Sequence, residues 1–290
     1  MRVIAVVGPT AAGKSDLGVA LAHELDGEIV NADSMQLYRG MDIGTAKLTL
    51  AEREGVPHHL LDVWDVRVTA TAAAYQGLCR TALDRIATPI VVGGSGLYVR
   101  AALDVMDFPG TDPELRAELE ADLLADGPGA LHARLTALSP DAASRMEPSN
   151  GRRIVRALEV VLLTGAMPGQ LTSYDMHVPT TYLGVDRPDL AERVAARVDR
   201  MWEQGLLTEV AGLDGLREGV TAPRALGYAQ ALQQLDGTLS EAAAKEQTVT
   251  ATRRFVKRQR AWFRRDPRIR WLDPERPLLP QARAALLSTD

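Results

Sequence analysis

Along the first hundred residues, short apolar runs alternate with longer segments of helical period. Residues 3–7, 28–32 and 89–92 are short, rich in Val and Ile, and bounded by polar or glycine-rich turns, as buried parallel strands are. Between them Leu17, Ala20, Leu21 and Leu25 recur at helical spacing after Lys14, and further helices are expected around 70–87 and from Leu97. This order predicts a parallel sheet with helices on both faces. The pattern changes near residues 109–113. From Glu114 to about Thr164 nothing reads as a strand, while Leu115, Leu119 and Leu123, then Leu131, Leu135 and Leu138, repeat as helices do. The sheet is expected to resume at 181–185, with helices at 189–203 and 240–263, a last strand at 269–272 and a closing helix at 281–287.

Directly after the first strand, Gly8-Pro9-Thr10-Ala11-Ala12-Gly13-Lys14-Ser15 completes the pattern GxxxxGK[ST]. The glycines let successive backbone N–H groups point at phosphate oxygens, Lys14 adds a point charge, and the Ser15 hydroxyl is suited to holding a magnesium ion. The fold expected is α/β, a P-loop NTPase-like parallel sheet flanked by helices, formed by residues 1–110 and 179–290. An all-helical insertion at 111–178 completes the chain.

The loop alone does not choose among ATPases, GTPases, kinases and other transferases. An NTPase needs an acid at the end of a second strand to hold the magnesium shell and orient water. The strand at 89–92 runs instead into Gly93-Gly94-Ser95-Gly96-Leu97-Tyr98, with no acid at its end. The acid follows the second strand, in Asn31-Ala32-Asp33-Ser34-Met35-Gln36, where the carboxyl ends of such sheets bind ligands. A carboxylate, a hydroxyl and an amide there suit an acceptor molecule better than a hydrolytic water. The alternative for Asp33-Ser34 is a turn or helix cap.

With 290 residues and 46% hydrophobic side chains the chain can bury a substantial core. One cysteine, Cys79, excludes an intrachain disulfide framework and fits a reducing cytoplasm. Five histidines without a Cys-x-x-Cys argue against structural zinc, and His58-His59 reads as part of a strand, since neighbours on a strand point to opposite faces. No leader pattern and no membrane-spanning run is evident, so a soluble cytoplasmic protein is expected.

The net charge of −5 conceals an uneven distribution. Residues 253–270 hold nine Lys or Arg and one acid, Asp266. On a helix Arg253, Lys257, Arg260 and Arg264 form a basic stripe, opposite an apolar face of Phe255 with Trp262 and Val256 with Phe263. In an acidic protein such a stripe suits the phosphates of a polymer. Arg152, Arg153 and Arg156 share a helical turn, as a solvated face or an anion contact. Arg193 and Arg197 stand four apart, as a diphosphate clamp or a surface pair.

These pieces resemble the bacterial tRNA dimethylallyltransferases. The resemblance is carried by the phosphate loop, residues 31–38, 40–47 (Gly-Met-Asp-Ile-Gly-Thr-Ala-Lys), 57–62 (Pro-His-His-Leu-Leu-Asp) and 92–98. It continues through Arg156-Ala157-Leu158-Glu159-Val160, Arg224-Ala225-Leu226-Gly227-Tyr228 and Lys257-Arg258-Gln259, in one order over nearly the whole chain. Ser95 stands where threonine is usual and Leu48 where proline is common; the zinc-finger extension of eukaryotic members is absent.

The resemblance implies transfer of a dimethylallyl group from dimethylallyl diphosphate to the N6 amine of the adenine 3′ to the anticodon in tRNA. It implies catalytic roles for Asp33, Lys14 and Arg197, diphosphate binding by Gly8 to Ser15 with Thr10 as a contact, and magnesium at Ser15. The tRNA anticodon stem-loop is expected at Asp33, Ser34, Met35, Gln36, Ser95, Arg152, Arg153, Arg156, Arg224, Gly227, Tyr228, Arg253, Lys257, Arg258 and Gln259. The helical insertion is expected to clamp the tRNA, the protein to be a monomer, and the membrane to play no part. The alternatives are an adenylate isopentenyltransferase acting on free nucleotide, a P-loop NTPase or kinase, and a non-catalytic RNA-binding module.

Overall fold

Five buried residues, Val3–Val7, form β1, and their alternate side chains feed two different cores. Ile4 and Val6 join one hydrophobic cluster, Val3, Ala5 and Val7 another, as a strand covered on both faces requires. In the computed structural model, which describes residues 2–165 and 173–288, the chain continues through α1 (Lys14–Leu25), β2 (Glu28–Asn31), β3 (His58–His59), α2 (Ala72–Leu83), β4 (Pro89–Gly93) and α3 (Gly96–Leu103). It then forms α4 (Pro113–Leu138), α5 (Pro140–Ser144) and α6 (Gly151–Thr164). After β5 (Thr180–Gly184) come α7 (Leu190–Glu203), α8 (Leu206–Gly212), α9 (Tyr228–Leu235), α10 (Glu241–Phe263), β6 (Ile269–Trp271) and α11 (Leu278–Leu287). Residues 166–172 of the expected insertion lie outside the described residues.

The strand order is β3-β2-β4-β1-β5-β6, and every pairing is parallel. Ile4 of β1 stands opposite Ile90 of β4 and Thr181 of β5. The sheet brings the loops after β1, β2 and β4 to one edge, although the chain visits them far apart. The chain separates into two units, Met1–Val105 with Asp175–Asp290, and Met106–Tyr174.

In the first unit, α1, α7 and α11 cover one face of the sheet with Leu17, Leu21, Val194 and Ala282, and α2 and α3 cover the other with Tyr75, Cys79, Leu83 and Val99. Burial of each large aliphatic side chain contributes roughly 1.5–3 kcal/mol. Helix α10 serves both faces, with Val256 in the first cluster and Phe263 in the second. Its docking residues are therefore Val256 and Phe263, while the expected partner Phe255 is only half-buried, under the Arg258 guanidinium at 5.6 Å. A third cluster joins Tyr38, Met41, Trp202, Leu206 and Tyr228 beside the sheet.

The first unit is left and re-entered at one place. The amide of Val105 donates to the carbonyl of Asp175, and that of His177 to Leu103, both at 2.8 Å. Asp104, fully buried between them, accepts from Arg100 at 2.6 Å, Arg268 at 2.7 Å and the Tyr182 hydroxyl at 3.1 Å.

The second unit contains only helices among its described residues. Leu119, Leu131, Leu135, Ile154, Val155 and Leu158 form its core. Gly127, at φ 78° and ahead of Pro128, kinks α4, so the two leucine repeats belong to differently directed segments. Leu138, the last residue of α4, is 48% exposed while Leu131 and Leu135 on the same segment are buried.

Candidate active site

The phosphate loop follows β1 because the backbone can turn there only without side chains. A Cβ at Gly8, whose φ is 147°, would stand 2.0 Å from the carbonyl oxygen of Val185. The loop ends at the N-terminus of α1, where Lys14 and Ser15 occupy the first turn. Lys14 Nζ donates to the carbonyl of Pro9 at 2.7 Å. Burial lowers its pKa to about 8, against the opposing pull of Asp33, and Arg197 lowers it further.

A cleft of about 920 Å³ opens at the carboxyl ends of the central strands, lined by Thr10, Lys14, Ser15, Asp33, Gln36 and Arg197 among others. Asp33 leads a turn in which its own Oδ1 accepts from the amide of Met35 at 2.9 Å. The turn expected as an alternative to a functional Asp33 is thus present, and it aims the carboxylate into the cleft rather than away from it. Asn31 fixes this turn: its Oδ1 accepts from the Asp33 amide at 2.9 Å, and its Nδ2 donates to the carbonyls of Asp33 and Leu60, each at 3.0 Å. Ser34 donates its amide to Ser95 Oγ at 3.1 Å, which joins the loops after β2 and β4.

Arg197 comes from α7, on the far side of the phosphate loop. Its guanidinium donates to Thr10 Oγ1 and to the carbonyl of Thr45, both at 3.1 Å. Burial lowers its pKa, Asp33 opposes this and Arg200 adds to it. Arg193, one turn earlier, donates to the carbonyl of Ala11 at 2.9 Å. Lys14, Arg197 and the carboxylate of Asp33 therefore interact within one cleft, beside the loop.

Several residues expected at the RNA have partners within the protein. Gln259 is buried, with its amide bonded to Thr10 and Gly94. Tyr228 is fully buried, and its hydroxyl donates to Glu209 Oε1 at 2.5 Å; burial first, and then Glu209, raise its pKa. Glu209 also accepts from the amides of Asp42 and Ile43 at 3.1 and 2.7 Å, so Tyr228 is part of the anchor of the loop at 42–44. Gly227 caps α9, its amide donating to Gln230 Oε1 at 3.0 Å. Arg260 and Arg264 are turned to Asp186 at 2.8 and 3.5 Å, which breaks the basic stripe in half, and Arg253 donates to the carbonyl of Ala191 at 3.1 Å. Lys257, Arg258 and Arg224 are exposed.

In the second unit, Asn150 caps α6 by accepting from the Arg153 amide at 3.3 Å, and Arg152 and Arg153 are exposed. Arg156 is committed to Glu159 at 2.6 Å and to the carbonyl of Pro109 at 2.8 Å. Burial of Glu159 favours the neutral acid, but donors from Arg116, Arg156 and the Asp112 amide outweigh it and hold its carboxyl below the usual range. Arg156 is thus a structural lock of its unit, which its spacing from Arg152 and Arg153 did not disclose.

The sequence did not single out Asn31 as a positioning group or Glu209 as an anchor. Asn31 stands two residues before Asp33 in an Asn-x-Asp pattern typical of such turns, whereas no local signal marks Glu209, whose partners lie some 165 residues away. His58 lines the cleft, with Nδ1 against the carbonyl of Val56 at 2.8 Å, and His59 pairs with Glu28 at 2.5 Å.

The fold and site define a P-loop-like α/β protein whose GxxxxGK[ST] loop shares one cleft with the carboxylate of Asp33. The sequence profile described as IPP transferase matches residues 36–266. A tRNA dimethylallyltransferase of Streptomyces avermitilis is 62% identical over 93% of this chain and 90% of its own length, and one of Thermobifida fusca is 59% identical over 98% and 94%. The crystal structure of the full-length tRNA isopentenylpyrophosphate transferase of Bacillus halodurans superposes with a TM-score of 0.71 at 37% identity, covering 98% of this chain and 93% of that one. A eukaryotic dimethylallyltransferase acting on tRNA gives 0.78 at 28% identity, covering 94% and 74%. The chain belongs to the IPP transferase family.

Proposed function

We propose that this chain transfers a dimethylallyl group from dimethylallyl diphosphate to the N6 amine of the adenine 3′ to the anticodon in tRNA, releasing diphosphate. The observation that carries this reading is the carboxylate of Asp33, directed into the cleft beside the phosphate loop, where the β4 end offers only Gly93, Gly94 and Ser95. An acceptor amine attacks the allylic carbon bearing the diphosphate, the carbon–oxygen bond breaks, and the bonding pair leaves with the diphosphate. The amine proton passes to Asp33 as it is lost. Lys14, Arg197 and the loop amides neutralise the charge that develops on the departing oxygens.

The residues present fit magnesium. Ser15 Oγ lines the cleft and makes no hydrogen bond among the described residues, and one hydroxyl with diphosphate oxygens and water suits an ion that keeps most of its shell. When bound, the ion adds further charge neutralisation on the diphosphate.

The adenine must leave its stack to reach such a cleft. Lys257 and Arg258 on α10, Arg224, and Arg152 with Arg153 are the exposed cations proposed to meet tRNA phosphates. No helix among the described residues is long and apolar enough to cross a membrane. A monomer working in the cytoplasm, where its tRNA is found, completes the reading. The test is mass spectrometry of tRNA nucleosides after incubation with the protein, magnesium and dimethylallyl diphosphate. N6-dimethylallyladenosine is expected; ATP turnover without that product would sink the assignment.

A further inference from the structure

Helix α10 carries exposed cations at Lys257 and Arg258, and the next residue turns inward. Gln259 is 5% exposed, and both ends of its amide are in use. Its Oε1 accepts from the amide of Thr10 at 3.0 Å, and its Nε2 donates to the carbonyl of Gly94 at 2.9 Å. The two partners belong to different loops. Thr10 lies in the phosphate loop after β1. Gly94 lies in the turn after β4, next to Ser95, whose Oγ accepts from the amide of Ser34 beside Asp33.

The fit is close. A Cβ at Gly94 would stand 2.5 Å from Gln259 Nε2 and 3.1 Å from the carbonyl oxygen of Gly8. Thr10 is held from its other side by Arg197. A planar amide bonded to two loops fixes their separation, because each bond weakens steeply outside a few tenths of an ångström.

We propose that Gln259 is a positioning residue for the transfer, holding the loop that carries the donor diphosphate in register with the turns that carry Ser95 and Asp33. The proposal rests on the reaction inferred above and adds to it a side chain that touches neither the reacting atoms nor RNA. It replaces the expectation that Gln259 contacts tRNA. Misplacement of reacting groups by about 1 Å costs on the order of 10²-fold in rate.

Gln259→Met keeps the length of the side chain and removes both hydrogen bonds. Four quantities are measured: affinity for magnesium pyrophosphate by calorimetry, affinity and salt slope for an anticodon stem-loop, and the single-turnover transfer rate. The pyrophosphate Kd is expected to rise roughly 10-fold and the rate to fall roughly 10- to 100-fold. Stem-loop affinity and salt slope are expected to match wild type, which a general loss of structure could not achieve. Should Gln259→Met fold poorly, Gln259→Glu keeps the acceptor for the Thr10 amide, removes the donor to Gly94, and is expected to give the same division between donor and RNA.

Weakened stem-loop binding with pyrophosphate affinity and rate intact would return Gln259 to the RNA surface and overturn the proposal. So would a pyrophosphate affinity and a transfer rate both unchanged from wild type. If wild type binds pyrophosphate but transfers nothing to the stem-loop, the reaction assigned above fails, while the pyrophosphate comparison still decides whether Gln259 shapes the loop.

Discussion

Asn31 holds Asp33 by its backbone, accepting from the Asp33 amide at 2.9 Å and donating to the Asp33 carbonyl at 3.0 Å. The carboxylate is therefore aimed by a neighbour that is itself nearly buried on the last residue of β2. Asn31→Ala strips three hydrogen bonds and leaves buried groups unpaired. A stability loss of roughly 1–3 kcal/mol is expected by denaturant titration, with a transfer rate lowered further than stability alone explains.

Asp33→Asn preserves the shape of the turn, since an amide oxygen can still accept from Met35, and removes the proton acceptor. The single-turnover rate is expected to fall by roughly 10²- to 10⁴-fold with donor affinity nearly unchanged. A near-normal rate would reduce Asp33 to a turn residue.

Burial disfavours the charge of Lys14 and lowers its pKa from the ordinary 10.5 to about 8. Pyrophosphate affinity should accordingly decline as pH rises through about 8, with one proton taken up per ligand bound above that pH. The stability sign is opposite. A cation with a lowered folded pKa costs stability wherever both states are protonated, and that cost is relieved as pH rises from about 8 towards 10.5. Lys14→Met is expected to abolish transfer and to raise Tm at pH 7; a lowered Tm would contradict the burial cost.

The two halves of α10's basic surface should behave differently on substitution. Lys257→Ala with Arg258→Ala is expected to weaken stem-loop binding and to reduce the slope of log affinity against log salt by about one per lost contact, with Tm nearly unchanged. Arg260→Ala removes the nearer of the two cations on Asp186 and is expected to lower Tm with little change in the salt slope. Reversal of this pattern would move the RNA track to the other half of the helix.

The sheet was legible because β1, β2 and β4 are short and apolar with turns at fixed places, and the phosphate loop because its backbone needs a particular glycine pattern. The burial of Tyr228 and Gln259 was not legible locally. Gln259 follows the exposed Lys257 and Arg258, yet a step of one residue turns a side chain from solvent to core, and its partners Thr10 and Gly94 are distant in the chain; Tyr228 is held by Glu209, whose other partners are the amides at 42–44. The pairing of the stripe was hidden in the same way: period alone placed Arg260 and Arg264 with Lys257, and nothing local told of Asp186. The break at Gly127 and Pro128 is the one feature of the helical unit that its composition advertised and the leucine spacing concealed.

Val105 and Asp175 meet through a 2.8 Å hydrogen bond, so the chain leaves and rejoins the sheet-bearing unit through a single doorway. Among the described residues, what is strung between them adds no strand to the sheet. Since the entropy of closing a loop grows only with the logarithm of its length, about 0.6 kcal/mol per doubling, whole helical turns can be gained or lost there at little expense to the spacing between the phosphate loop and Asp33. The doorway lets the excursion vary freely while the chemistry stays put.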